Sequence, residues 1–467
     1  MQTKHVSVNN VPKINNQGTN SSFIIDNQAK LHNQHIGGSM TGLSAQIPRR
    51  RWIIGGLLGG GVLVNYIDRI NLSVAAPQLM AEFHLTATDI GLLFSAFFWS
   101  YALLTIPAGM ILDRFGVTSV GRWGAFLWSI ASATVAFASG FGGIFMARLL
   151  LGAAEAPCFP ANAKATGYWF PRQERSVATS LFDAAAKFAN VIGVPLGAVV
   201  VVNFGWRWGF GVTAALSFAY FVAYYFIYRD PSAEKNLSRE EHAYILEGGA
   251  TPEGEAASGA GSMLVYLFGQ RKVWGLSLGF AAYGYTFYLF LTWLPGYLVQ
   301  AMHMSILESA GYAAIPWACA TVSDIVFGGV LVDRLIAAGH DETKVRKTVL
   351  VVGMLFGLSV FNATQTTDPR WAIFWISIAL SGLAASAPIG WSIPSLIAPK
   401  GGTATIGGIM NFLNNMMGVI APIVTGFIVG ATHHFETAFL VAGVMLLVGI
   451  FFYVVVLGRI EPIPSPR

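Results

Sequence analysis

Charge is what this chain has least of. Of its 467 residues, 11% are Asp, Glu, Lys or Arg, while 54% are apolar. Soluble domains average about 25% charged residues, so most of the folded surface must face something other than water. Cysteine is scarce too: Cys158 and Cys319 lie far apart in apolar stretches, which excludes a disulfide framework. The sequence has no glycine loop that would cradle phosphates, no metal-ligand spacing and no nucleophile elbow. An enzyme, a nucleotide-driven pump and a cofactor carrier are all disfavoured. The net charge of +5 is explained below by topology and implies no nucleic acid partner.

What the chain has in abundance is apolar sequence in stretches of about 20 residues, enough to cross the ~30 Å hydrocarbon layer. Twelve are read, near 52–76, 88–111, 119–140, 142–168, 177–203, 206–228, 274–300, 308–336, 347–366, 369–396, 402–430 and 433–458. They predict an all-α polytopic membrane protein with twelve transmembrane helices. With both termini cytoplasmic, Arg49, Arg50, Arg51, Arg114, Arg122, Arg172, Arg175, Arg229, Arg334, Arg346 and Lys347 fall inside, and only Arg207 and Arg370 fall outside. The positive-inside rule requires that asymmetry. The expected location is the cell inner (plasma) membrane, multi-pass. Residues 1–48 are polar, rich in Asn and Gln, and read as a disordered cytoplasmic tail. A cleavable signal peptide is not expected, because the apolar run after Arg49–Arg51 is too long and more spans follow.

A polar stretch, 229–273, separates two groups of six spans and reads as a cytoplasmic linker. The expected domains are six-helix bundles at 49–228 and 274–460, with a cytoplasmic tail at 461–467. Each half carries one phrase at an equivalent point: Gly109, Asp113 and Arg114 after the second span, and Gly329, Asp333 and Arg334 after the eighth, 220 residues on. Such duplication predicts parallel repeats related by an axis along the membrane normal. The glycine is expected to permit close helix contact at the cytoplasmic face, with Asp and Arg capping or bridging helix ends in a gating motif. A plain stop-transfer charge pair is the alternative.

The remaining charges sit where water is scarce. Asp68 and Arg69 lie in the first span, Arg148 and Glu155 in the fourth; each costs roughly 2.5–3.5 kcal/mol at mid-bilayer, so such residues usually serve a pathway. Arg148 and Glu155 are two helical turns apart and project from one face. Two guanidinium groups facing one cavity suit a carboxylate, because each planar fork gives two parallel hydrogen bonds and keeps its charge on burial. Structural ion pairs, Asp68 with Arg69 and Arg148 with Glu155, are the alternative. Asp68 and Glu155 are the expected proton carriers: an anion on an arginine weakens that arginine's hold on the nearby acid. Substrate and proton then bind with positive coupling, which is reciprocal. Asp183 and Lys187 read either as a self-neutralising pair four residues apart or as a lysine reading a second acidic or keto group. Asp324 has no sequence partner and fits either a hydrogen bond within the second half or the proton path.

Asn65 to Ser73 in span one, Phe94 to Phe97 and Tyr101 in span two, and Arg148 to Pro160 in span four together carry a family resemblance. Phe290 to Pro295 and Gly407 to Phe412 extend it. Across residues 50–460 the chain resembles the major facilitator superfamily, and more narrowly its anion:cation symporter branch, which includes bacterial galactonate, glucarate and hexuronate carriers. The resemblance implies two pseudo-symmetric six-helix bundles and import of an organic anion, such as a sugar acid, by proton symport with alternating access. It supports Tyr66, Tyr101, Trp391, Ser392 and Asn411 as substrate contacts beside Arg69 and Arg148, with Lys187 a further candidate. Asn414 and Asn415 would add to an uncharged far wall. Carriers of sugar acids tend to place a glutamine where this chain has Ala186 and Lys187, so a dicarboxylate or an aromatic acid is also open. The implied partners are a small carboxylate, protons and membrane lipid, with the chain a monomer and no cofactor. Two rivals stand. An organic-anion exchanger, such as an organophosphate:phosphate antiporter, would favour a basic pair split between the halves, and the second half shows no intramembrane Arg or Lys. A non-transporting anion sensor would need a signalling domain for which the tail and linker are too short.

Overall fold

The computed structural model describes residues 49–171, 174–251, 253, 260–399 and 402–465. The expected disordered tail lies outside them, as do parts of the linker. The first half builds α1 (Arg50–Phe83), α2 (Ala87–Ala136), α3 (Phe141–Glu155), α4 (Cys158–Trp169), α5 (Arg175–Phe204) and α6 (Trp206–Ile227). Two short helices, α7 (Arg239–Glu247) and α8 (Ala260–Phe268), lie in the linker. The second half builds α9 (Arg271–Gln300), α10 (Ile306–Ser323), a π-helical segment Asp324–Val330, α11 (Leu331–Ala337), α12 (Glu342–Gly357), α13 (Val360–Ala363), α14 (Pro369–Ile397), α15 (Thr403–Thr432) and α16 (Glu436–Phe451). Ten of the described helical stretches are long and apolar enough to cross a membrane. The other two expected spans, near 119–140 and 274–300, are helical in α2 and α9.

α2 holds two spans in one run. They are joined at Gly116, whose φ of 76° and ψ of 164° belong to a region essentially reserved for glycine. Helix starts repeat between the halves as the charged phrase does. Thr86 caps α2 and Ser305 caps α10, each in a reciprocal capping box with Asp89 and Glu308 respectively, which satisfies two orphan donors at each helix start. Gly109 follows its cap by 23 residues and Gly329 follows its own by 24. The wide turns of Asp324–Val330 take up the extra residue, as π-bulges do.

The linker helix α7 docks on the first half through a carboxylate. Glu241, fully buried, accepts the backbone N–H of Arg50 and of Arg51 at 3.1 Å each and pairs with the Arg51 guanidinium at 3.0 Å. Those are orphan N–H groups at the start of α1, where negative charge is also favoured by the helix dipole. Glu174 takes Arg51 from another side at 2.7 Å and the Tyr244 hydroxyl at 2.9 Å. Burial pushes Glu174 up, but the Arg51 guanidinium and the Tyr244 hydroxyl outweigh it and hold the carboxyl below its ordinary value.

Contacts between the halves gather toward the end of the molecule that carries the Phe83–Ala87 and Gln300–Ile306 turns. There α2 packs on α15, with Thr88 donating to the Gly426 carbonyl and Phe98 edge-on to Tyr288 at 4.7 Å. Phe94 meets Trp293 at 5.3 Å and Gln300 reaches the Met80 sulfur at 3.7 Å. Toward the opposite end Met110 and Trp391 are exposed, and a side chain at Gly109, Gly407 or Gly408 would meet open space. The close helix contact expected at Gly109 is therefore not made in this conformation.

Candidate functional site

Arg69 comes off α1 into an aromatic nest. Its guanidinium carbon lies 4.6 Å from the Phe97 ring centre, 4.7 Å from Tyr101 and 4.9 Å from Tyr66, with Phe159 at 6.0 Å. Cation–π attraction of this kind strengthens when the site is dry. Arg69 Nε also pairs with Glu155 Oε2 at 3.3 Å. Neither ion pair foreseen as the structural alternative forms: the observed pair crosses from α1 to the last residue of α3. Glu155 ends that helix because the chain turns at Ala156–Pro157 before α4 begins. Tyr66 and Tyr101 thus meet the site through their ring faces.

Arg148 is 2% exposed. Its Nη1 donates to the Asp68 backbone carbonyl at 3.3 Å, and its guanidinium carbon lies 5.3 Å from the same Phe97 ring. Both arginines therefore rest on Phe97. Gly152, on α3 between Arg148 and Glu155, permits this depth: a methyl there would run into the Phe97 carbonyl and the Ser100 hydroxyl. Three polar atoms remain buried and without a partner, namely Arg69 Nη2, Arg148 Nε and Glu155 Oε1. Buried charged groups with unmet donors and acceptors are costly.

Asp68, next to Arg69 in sequence, points elsewhere. Its carboxylate accepts from Trp128 Nε1, Ser132 Oγ and Ser217 Oγ, each at 2.6 Å. No spacing in the sequence announced these three, which come from the second span of α2 and from α6. Serine hydroxyls rotate between donating and accepting, so this shell can hold the acid with or without its proton.

Lys187 is not free to greet a ligand. Its Nζ lies 2.6 Å from Asp183 Oδ2 on its own helix and 2.9 Å from Asp324 Oδ2 in the other half. The Asp183 pairing is the i, i+4 contact expected, while Asp324 finds a partner across the halves, an arrangement neither sequence reading foresaw. Of the far-wall candidates, Asn411 accepts from Asn415 Nδ2 through its backbone and side-chain oxygens at 2.9 and 3.1 Å. Asn415 Oδ1 takes the Tyr288 hydroxyl at 3.1 Å, and Asn414 Nδ2 donates to that hydroxyl at 3.4 Å. Trp391 is exposed and edge-on to Phe280. Ser392 is bonded to Arg346 Nη1 at 2.6 Å. Arg346, read from sequence as a loop residue, stands instead within α12 with its side chain 14% exposed and pairs with Glu342 at 2.9 Å. A lysine- and arginine-rich segment looks like a loop until the helix it opens is seen.

In the repeated phrase, Asp113 pairs with Lys164 of α4 at 2.5 Å and Arg114 lies against Phe115 at 5.3 Å. Asp333 and Arg334 are exposed. A cavity of about 300 Å³ lies away from the arginines, among the turns that include His303, His433 and Glu436. Among the described residues no His, Cys, Asp and Glu cluster could hold a metal ion.

An all-helical bundle of membrane-length spans around a buried charged centre is the form of a membrane carrier. The family model of the Major Facilitator Superfamily matches residues 58–422, and the chain belongs to that superfamily. It is 43% identical over 414 residues to an uncharacterized transporter, YybO, of Bacillus subtilis (strain 168), covering 88% of this chain and 95% of that one. It is 33% identical over 413 residues to the probable galactarate/D-glucarate transporter GudP of Escherichia coli (strain K12), covering 85% of this chain and 91% of that one. A crystal structure of a bacterial homologue of the human lysosomal transporter Spinster, in an inward-facing and occupied conformation, superposes with a TM-score of 0.70 at 17% identity, covering 87% of this chain and 96% of that one. That likeness establishes the fold. The protein is a transporter and not an enzyme.

Proposed function

We propose that this chain imports an organic anion, a sugar acid or related carboxylate, by proton symport. The observation that carries the proposal is the pair of buried guanidinium groups packed on Phe97 with N–H groups still uncommitted at Arg69 Nη2 and Arg148 Nε. A carboxylate has two oxygens and no donors, so it fits two facing donors without leaving an unmatched group. GudP, whose printed name cites galactarate and D-glucarate, supports the substrate class.

Glu155 supplies the coupling. It is fully buried and ion-paired with Arg69. An arriving carboxylate competes for that arginine, and a displaced buried carboxylate is costly unless it takes a proton. Asp68, two of whose three donors are serine hydroxyls that can also accept, is the second carrier. The contacts between the halves support alternating access: they gather near Phe83–Ala87, and the proposed state is inward-facing, with the arginine-rich end open to the cytoplasm. Both termini then lie on the cytoplasmic side of the inner membrane.

One observation favours a second reading, anion exchange. Arg346 gives the second half a half-buried arginine, and a basic pair split between the halves suits an exchanger. Its commitment to Glu342 and Ser392 weighs against that. Uptake into proteoliposomes, across labelled sugar acids, dicarboxylates and aromatic acids, separates the two. Proton-driven accumulation of one acid, lost with Arg148→Ala, supports symport; uptake that needs preloaded anion and ignores the proton gradient supports exchange.

A further inference from the structure

The second charged cluster has one acid too many. Asp183 and Lys187 lie on α5, in the first half, and Asp324 opens the π-helical segment in the second. A single ammonium faces two carboxylates, at 2.6 and 2.9 Å. Asp183 and Asp324 are also within hydrogen-bonding reach of each other. Two carboxylates at such range cannot both stay ionised cheaply, and the usual resolution is one proton shared between them. Lys187 neutralises one of them and leaves the other unbalanced.

Burial is uneven across the cluster: Lys187 is 3% exposed and Asp324 6%, the Asp183 side chain is 36% exposed, and Asp324 Oδ1 is buried with no donor. An acceptor in that position lacks a hydrogen. The other titratable groups facing the cluster are Tyr66 of α1 and Tyr283 of α9, both within electrostatic range, and neither brings a positive charge at neutral pH. The one-residue insertion that produces the π-helical segment begins at Asp324 itself. π-Bulges occur frequently at functional sites.

We propose that Asp183 and Asp324, clamped by Lys187, form a proton-holding site that ties the two halves of the bundle together. The proton resides on the acid pair, donated by one carboxyl to an oxygen of the other, while Lys187 donates to both. Loss of the proton sets two carboxylates against one ammonium across the contact between α5 and α10. The acid pair is distinct from the Arg69–Arg148 centre, although Tyr66 faces both, and it needs no substrate, so its test is independent of the transport reading.

Infrared difference spectroscopy on the purified, substrate-free full chain tests it. The background carries Asp68→Asn and Glu155→Gln, which removes the carboxyls of the first centre. At neutral pH this protein should show the carbonyl stretch of a protonated carboxyl, sensitive to exchange into heavy water. Adding either Asp324→Asn or Asp183→Asn should abolish that band, because each breaks the pair. Two variants guard against one failing to fold, and elution as a monodisperse species checks each. Absence of the band in the background protein overturns the proposal, and so does a band that survives in a folded Asn variant.

Discussion

Arg69 and Arg148 both pack their guanidinium groups on the Phe97 ring, so two like charges share one aromatic neighbour. A guanidinium fork has a plane and a direction, which an ammonium lacks. Arg148→Lys should therefore lose most substrate binding, at least tenfold in Kd, while the protein still folds and elutes normally; ligand-induced change in tryptophan fluorescence checks this. The sequence exposed all four charges of this centre, because charge at membrane depth is conspicuous by cost alone. It did not expose their partners. Arg69 meets Glu155 because α3 ends there, and Asp68 turns to Trp128, Ser132 and Ser217 because α2 and α6 bring them alongside. Neutral donors on separate spans carry no pattern that periodicity can find. Lys187 showed the same split: its partner four residues away was legible, and its partner across the halves was not.

At the scale of elements, the joints decide more than the spans do. Gly116 takes a backbone conformation that costs other residues of order 1–3 kcal/mol, so Gly116→Ala should lower the thermal midpoint measurably in a detergent-solubilised melt. The linker offers a second joint. Glu241→Ala strips the cap from α1 and removes one of the two carboxylates that hold Arg51, at an expected cost of about 1–3 kcal/mol. Glu174 adds a pH dependence of known sign. Its folded carboxyl lies below its ordinary value, so its contribution is present above the unfolded value of about 4.3 and is lost as pH falls through the folded one. Glu174→Gln should lower stability at neutral pH and leave it little changed in acid, which flattens the acid limb of a stability-against-pH curve. Polar composition marked 229–273 as linker; that its short helices dock by a buried carboxylate depends on residues almost 200 apart, beyond any local signal.

For the molecule as a whole, one end is closed by small residues pressed together. A side chain at Gly426 would meet the Ala87 carbonyl and the backbone of Gly91, so Gly426→Val should wedge α2 from α15 and shift the population away from this state. A thiol reagent at Trp391→Cys, in a background without Cys158 and Cys319, should then react more slowly under the proposed alternating access, in which the opposite end closes as this one opens. The duplicated phrase made two related halves readable from sequence. The capping boxes at Thr86 and Ser305 extend the repeat, and the inserted residue at Asp324–Val330 breaks it at a charged contact between halves. Which end is sealed was not readable, since the same sequence must serve every state of the cycle.

The central claim is that Glu155 couples an anion on Arg69 to a proton. The most direct measurement compares wild type with Glu155→Gln in proteoliposomes carrying an inward proton gradient, using an acid that the wild-type chain transports. The account predicts uphill accumulation in wild type, abolished by a protonophore, and in Glu155→Gln binding and counterflow without accumulation. Uphill uptake preserved in Glu155→Gln would contradict it.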